Sequence, residues 1–305
     1  MAHHELPLER RTLHGHFSRD LEPILTVDAG DSISFSCLDS GWRTAEHELF
    51  PERRDGELDA GHALIGPIEV RGARAGQTLL VGIDEVRIAA GGVTQAGGWS
   101  TPLNDRLGLD GGDTITLRWE LDADAGIGRS DSGHEVALHP FLGVIGMPPD
   151  QAGVHSTAPP RPCGGNIDCK ELVAGTTLYL PIPVEGALLS AGDGHAAQGD
   201  GEVSQLAIEA PVERARLTLS VRDGLALQNP VAWTPDAWLT FGFHEDLDEA
   251  AALALDGMLE LMGREHGFER REALALASVV VDLRVTQLVN GARGIHARLA
   301  HDALR

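Results

Sequence analysis

Asp193, His195 and Glu202 fall within one short run, Gly192-Asp193-Gly194-His195-Ala196-Ala197-Gln198-Gly199-Asp200-Gly201-Glu202. A hard oxygen donor, an imidazole and a second carboxylate at such spacing suit a divalent metal. Zinc takes His and carboxylate ligands in catalytic sites that keep one position open. Water bound there titrates near neutrality and attacks a carbonyl. The competing reading is a Gly-rich turn with solvated acids and a structural histidine. A second run, Gly164-Gly165-Asn166-Ile167-Asp168-Cys169-Lys170, follows a long Pro-rich stretch. On an extended segment Asn166, Asp168 and Lys170 share one face. An amide, an acid and an ammonium there could bind substrate, hold metal or orient a water. An Asx turn beside a surface lysine accounts for them equally well.

The phrase G-H-A-x-x-G-x-x-E-V occurs twice, from Gly61 to Val70 and from Gly194 to Val203, with Asp59 and Asp193 just upstream. Ala29-Gly30-Asp31-Ser32-Ile33-Ser34-Phe35 and Ala174-Gly175-Thr176-Thr177-Leu178-Tyr179-Leu180 precede the two copies in the same order. A duplicated fold is the expectation, with the polar stretch Glu46 to Glu57 as a loop insertion in the first copy. Ile65, Pro67 and Ile68 make the first copy apolar, so it reads chiefly as packing, with His62 lining the pocket of the second. The polar second copy is where chemistry is expected.

Cysteine chemistry has weaker support. Cys37, Cys163 and Cys169 are too few and odd in number for a disulfide framework. Cys163, with Lys170 and Glu171 as helpers, could form a covalent amidase, but no activating base accompanies it locally. Asp282 and Arg284, flanked by Val281, Leu283 and Val285, read as a buried ion pair. His134, His139 and His155 read as ordinary polar residues. Phosphate loops, dinucleotide fingerprints and G-x-S-x-G elbows are absent from the sequence.

The elements that must position these groups are mostly strands. With 305 residues, 37 glycines, 16 prolines and 4% aromatics, the chain is turn-rich and its core must be aliphatic. Strands are predicted over Ile24–Val27, Ser32–Cys37, Ile68–Val70, Thr78–Ile88, Thr114–Leu121, Phe141–Gly146, Leu178–Ser190, Glu202–Ala210 and Arg214–Arg222. The Asp/Gly stretch Leu121 to Ser132 reads as a linker. Asp246 opens a helix that runs through Ala250–Gly263, and a second spans Glu269–Asp282 before a strand at Arg284–Val289. The expected fold is mainly β with an α+β C-terminal part: duplicated β-sandwich or barrel-like units, 1–125 and 126–240, then a smaller helix-containing segment, 241–305.

A formal charge of −22 argues against nucleic acid and anionic membrane as partners. The N-terminal residues lack a signal peptide's apolar core, and reduced thiols suggest a cytoplasmic protein.

Several blocks together resemble the acetamidase/formamidase family: Asp59 to Ile68, Pro140 to Gly146, Gly164 to Asp168, Leu178 to Pro181, Gly192 to Glu202 and Asp282 to Gln287. The resemblance implies hydrolysis of small amides to a carboxylate and ammonia, by a β-rich protein with a smaller α/β portion, often a homo-oligomer. Members resembling the formamidases often open with His-Asn-x-Trp, where this chain has His14-Gly15-His16-Phe17-Ser18; the departure counts against formamide and leaves room for acetamide, a cyclic amide or another small amide. The resulting expectation is an amidase using metal-activated water. Asp168, Asp193 and His195 would hold zinc or calcium, and Glu202, Asp168 and His195 would be catalytic, with Glu202 as the base. Asn166, Lys170, His62 and Gln198 would contact substrate. A non-catalytic small-molecule binding protein on the same β fold is the alternative from another class.

Overall fold

A computed structural model describes residues 1–54 and 56–304. Its first unit contains β1 (His3–Leu6), β2 (Leu13–His14), β3 (Leu25–Val27), β4 (Ser32–Cys37), β5 (Leu64–Val70) and β6 (Thr78–Ile88). An excursion follows through β7 (Gly91–Ala96), α1 (Pro102–Leu107), β8 (Ile115–Asp122), β9 (Ile127–Ser130) and β10 (Glu135–Ala137). The second unit has β11 (Phe141–Gly146), β12 (Gly164–Asn166), β13 (Thr177–Pro181), β14 (Leu189–His195) and β15 (Val212–Arg222). The chain ends with β16 (Val231–Trp233), β17 (Ala237–His244), α2 (Leu247–His266), α3 (Arg270–Val280), β18 (Val281–Gln287) and β19 (Arg293–Ala300).

One sheet runs β1-β4-β15-β6-β13-β16-β17-β19-β18, another β12-β11-β14-β5-β2, and a small meander β10-β9-β8-β7 stands apart. The expected mainly β architecture with helices near the C-terminus is what the chain adopts. Exchanging β4 with β13 and β6 with β15 leaves the centre of the large sheet, β4-β15-β6-β13, unchanged. Exchanging β2 with β11 and β5 with β14 does the same for β11-β14-β5-β2, and the pairs on either side of each centre are antiparallel. Duplicated units therefore interlock across a pseudo-twofold. The repeated wording is not the repeated structure, however. In the first copy His62 precedes β5; in the second His195 ends β14 and the rest is turn. The two strands lie side by side, with Leu64 opposite Gly192.

Between the sheets pack Ile33 and Phe35 of β4, Ile65 and Ile68 of β5, Leu79, Val81 and Ile83 of β6, and Leu217 and Leu219 of β15. Strands covered on both sides read as continuous apolar runs; β11 is buried throughout, and β5 at every position but Glu69. Ile88, Trp119, Leu121, Leu138 and Ile208 form a satellite core under the meander. The stretch read as a linker is the β8–β9 hairpin. The segment from Glu202 to Ala210 is a turn-rich loop and not a strand, because Gly201, Glu202 and Gln205 all take positive φ. Glu46 to Glu57, apart from Asp55, is a turn-rich excursion whose first residues lie in the turn spanned by an Arg43–Leu49 bridge.

The helices follow their signals. The Asp246 side chain accepts from the N–H groups of Asp248 and Glu249, and left-handed Gly267 ends α2. Ala250, Ala254, Met258, Leu261 and Met262 form its buried stripe against β17 and β19. Helix α3 stops at Val280, short of the predicted Asp282, where consecutive valines pass into β18. Branched side chains at successive positions favour a strand over another helical turn.

The loop after β4 stores an acid-sensitive cost. Asp39 is 3% exposed, and burial pushes its carboxyl up to about 6 although the backbone N–H of Arg43 donates to it. A folded-state pKa above the unfolded value means that the contribution to stability is fully present below about pH 4. It is lost as pH rises through about 6. The Asp39→Asn protein keeps an acceptor for Arg43 and loses the buried charge. Its Tm at pH 8 should exceed the parent's by several degrees, with the gain vanishing below pH 4; a pH-independent difference in thermal melts would contradict this.

Candidate active site

Strand β14 places Asp193 and His195 on one face, and β11 runs beside it with Phe141 opposite His195 and Leu142 opposite Gly194. Asp168 enters from the loop after β12, and Glu202 and Glu209 from the loop after β14. All five side chains are buried. Ligand atoms of Asp168, Asp193 and His195 lie within 4.8 Å of one another, as do those of His195, Glu202 and Glu209. Histidine is the shared corner.

Backbone strain marks the same residues. Asp168 (φ 51°), Asp193 (φ 63°), Glu202 (φ 45°) and Asn290 (φ 65°) all occupy the left-handed region. Each such residue costs on the order of 1–3 kcal/mol and persists where its surroundings over-determine it. Those surroundings are visible. Asn290, in the β18–β19 turn, donates from Nδ2 to Asp168 Oδ2 at 2.7 Å. Gln198 Nε2 donates to the Asp168 carbonyl at 2.7 Å, which fixes the orientation of its amide. Gln198 Oε1 then faces His195 Nδ1 at 3.0 Å, so Nδ1 carries the hydrogen. The other nitrogen, Nε2, points at Asp193 Oδ1 (3.4 Å) and Glu209 Oε1 (3.3 Å). This is the orienting hydrogen bond that metal-ligating histidines use.

The C-terminal segment locks both loops. Gly201 donates to the Thr286 carbonyl and accepts from Leu288 N–H, fixing the turn that carries Glu202. Glu171, just after Asp168, meets Arg284 Nη1 at 2.7 Å, with Arg298 and His296 at 3.5 Å. The expected Asp282–Arg284 pair does not form: Asp282 is exposed and Arg284 turns to Glu171. Strand alternation sends residues two apart to one face, yet the better-desolvated carboxylate from the loop after β12 captures the guanidinium.

Asp168 Oδ1, Asp193 Oδ1, Glu202 Oε2 and Glu209 Oε2 are buried without hydrogen-bond partners. Orphaned buried acceptors are costly. Burial, then repulsion from Glu202, drives Asp168 well above the ordinary carboxylate range. Burial also raises Glu202, to about 8, with Glu209 and Asp193 adding to it against the attraction of His195. At Asp193 burial is outweighed by the charges of His195 and His62, holding it at about 2. His195 is raised well above its usual value, because Glu209 and Asp193 overcome the burial that disfavours its charge. A divalent cation would supply the counter-charge this cluster otherwise draws from protons. The donor set fits one.

Gly143 completes the cradle. A Cβ there would lie 2.4 Å from Asp193 Oδ2, 2.8 Å from Asp168 Oδ1 and 3.0 Å from His195 Cε1. Sequence reasoning missed Gly143, Glu209 and Asn290. Glu209 did carry a signal, a lone acid between Ile208 and Ala210; Asn290-Gly291 reads simply as a turn.

The remaining expected residues are placed less uniformly. Asn166 is buried opposite Val144, with Oδ1 unpartnered. Gln198 spends both ends of its amide inside the protein, which makes it a positioning group. Lys170 pairs with Asp200 at 3.1 Å. His62 bonds Thr157 Oγ1 through Nδ1 at 2.7 Å and lines a 440 Å³ cavity with His16, Trp42 and Arg53. Its first-copy companion Asp59 is fully buried and held by Arg10 and Arg54.

Cys163 is a poor nucleophile. Burial pushes its thiol to about 11, and Sγ donates to the Met147 carbonyl at 3.3 Å. The thiolate is the reactive form. Cys163→Ser should therefore leave amide turnover within about twofold of the parent, and a loss beyond about 100-fold in steady-state assays would revive the covalent alternative.

Similarity to known proteins makes this chain a hydrolase that acts on carbon–nitrogen bonds. The sequence profile of the acetamidase/formamidase family matches residues 3–155 and 150–295, and the chain belongs to that family. It is 26% identical to a putative formamidase of Schizosaccharomyces pombe, over 78% of this chain and 74% of the relative. The crystal structure of an acetamidase from Bacillus halodurans superposes with a TM-score of 0.84 at 28% identity, covering 97% of each chain. A predicted acetamidase/formamidase from Thermoanaerobacter tengcongensis gives 0.84 at 26%, covering 98% of this chain and 95% of that one. Among the described residues, no helix is long and apolar enough to cross a membrane.

Proposed function

We propose that this protein hydrolyses small carboxamides, with a divalent cation held by Asp168, Asp193 and His195. A linear substrate gives a carboxylate and ammonia; a lactam opens to an amino acid. The observation that carries this reading is the set of buried carboxylate oxygens without partners, gathered around a histidine whose Nε2 is aimed by Gln198. Bound there, the cation supplies a Lewis acid that polarises the amide carbonyl and makes water nucleophilic near neutral pH. Mixed histidine and carboxylate donors suit zinc better than calcium, which prefers all-oxygen shells.

The chain's own groups do the rest. Asp168 and Asp193 fix the charge at the floor, and His195 orients between them and Glu209. Glu202 Oε2, buried and uncommitted, takes a proton from the attacking water and returns it to the departing nitrogen. Asn166 offers an unpartnered buried amide oxygen to the substrate N–H group.

The test is product formation from formamide, acetamide, propionamide and 2-pyrrolidinone by protein supplied with zinc. Hydrolysis of at least one of them supports the reading. Saturable binding with no hydrolysis of any would overturn it in favour of a binding protein.

A further inference from the structure

Glu202 and Gln198 do not only face inward: both also line a cavity of 430 Å³ between the meander and the loop after β14. The rest of its wall is largely apolar, with Trp119 from β8, Val136 from β10, and Leu206 and Ile208 from the loop. Ile208 and Trp119 belong to the satellite core, so the wall is anchored in packed structure. Asp200, already paired with Lys170, and His139 also border the cavity, and among the described residues no lysine or arginine lines it to receive an anionic group.

A cavity of this size falls within the range of about 300–1,000 Å³ that encloses drug-sized ligands. A molecule as small as acetamide would leave most of it empty. We infer that the site prefers primary amides with a neutral apolar acyl chain, seated against Trp119, Val136, Leu206 and Ile208 while the carboxamide meets the metal cluster. This inference rests on the amidase reading and adds the substrate class to it. The meander, an excursion lying outside the duplicated core, then supplies the specificity wall of the site.

The test is kcat/KM for acetamide, butyramide and hexanamide, with succinamate as an anionic probe. Each buried methylene should raise kcat/KM about three- to fourfold, so hexanamide should exceed acetamide by on the order of 100-fold. Succinamate should fall below butyramide. In Val136→Trp, which fills the cavity, the hexanamide-to-acetamide ratio should drop at least about tenfold. Equal or falling kcat/KM along the wild-type series overturns the inference and leaves the amidase reading standing. No product from any amide overturns both. The wild-type series decides the matter even if the tryptophan variant fails to fold.

Discussion

Glu202→Gln is expected to lower kcat for amide hydrolysis by about 10²–10⁴-fold, the usual contribution of a positioned proton-transfer group. The substitution is nearly isosteric at a residue 5% exposed, so the turn held by Thr286 and Leu288 should persist. What disappears is the ability of Oε2 to accept and return a proton. Metal content measured on the same preparation separates the two roles this carboxylate could have. Retained metal with lost turnover identifies a proton carrier; lost metal identifies a ligand alongside His195 and Glu209. Turnover within tenfold of the parent would remove Glu202 from the chemistry altogether.

Gly143→Ala should be about as damaging, through geometry alone. The added Cβ meets the carboxylate tips of Asp193 and Asp168 inside van der Waals contact. Both side chains are short and sit on strained backbone, so neither can retreat without leaving the cluster. Misplacement by about 1 Å is enough to cost on the order of 100-fold in rate. Turnover should fall by at least that factor and bound metal should drop well below the parent's. The glycine is on a regular strand and its conformation suits alanine, so the melting profile should still show a folded protein. Full metal loading with normal turnover would mean that the cluster is not where the ion sits.

How much of this was legible in the sequence depended on range. The alternation in β4, β6 and β15 and the capping signals of α2 are local, and they produced those elements nearly residue for residue. Asp193 and His195 were legible because they cluster with Glu202 in one short Gly-rich run; that β14 carries both on one face was not, since the predicted strand ended at Ser190. Asp168 was legible as a candidate only through its own run. Its meeting with Asp193 is set by β11, which pairs with both β12 and β14. The loop from Glu202 to Ala210 was misread because its apolar content resembles a strand, whereas its path is dictated by glycine and by left-handed residues bonded to the C-terminal segment. Asn290 and Glu209 could not be found by spacing, since only tertiary contacts bring them to Asp168 and His195. The repeated phrase pointed to a true duplication for a misleading reason. The duplicated objects are strands related by sheet order, while the matching words lie at different places along them.

Under the proposed function, amide hydrolysis requires a divalent cation in the Asp168–Asp193–His195 cluster. The most direct measurement titrates zinc into chelator-stripped protein and follows hydrolysis of the best amide substrate together with bound metal. Turnover should be lost on stripping and return in step with a single tight equivalent of metal per chain, and Asp193→Ala should neither bind that equivalent nor recover. Full turnover in stripped protein that retains no metal would contradict this.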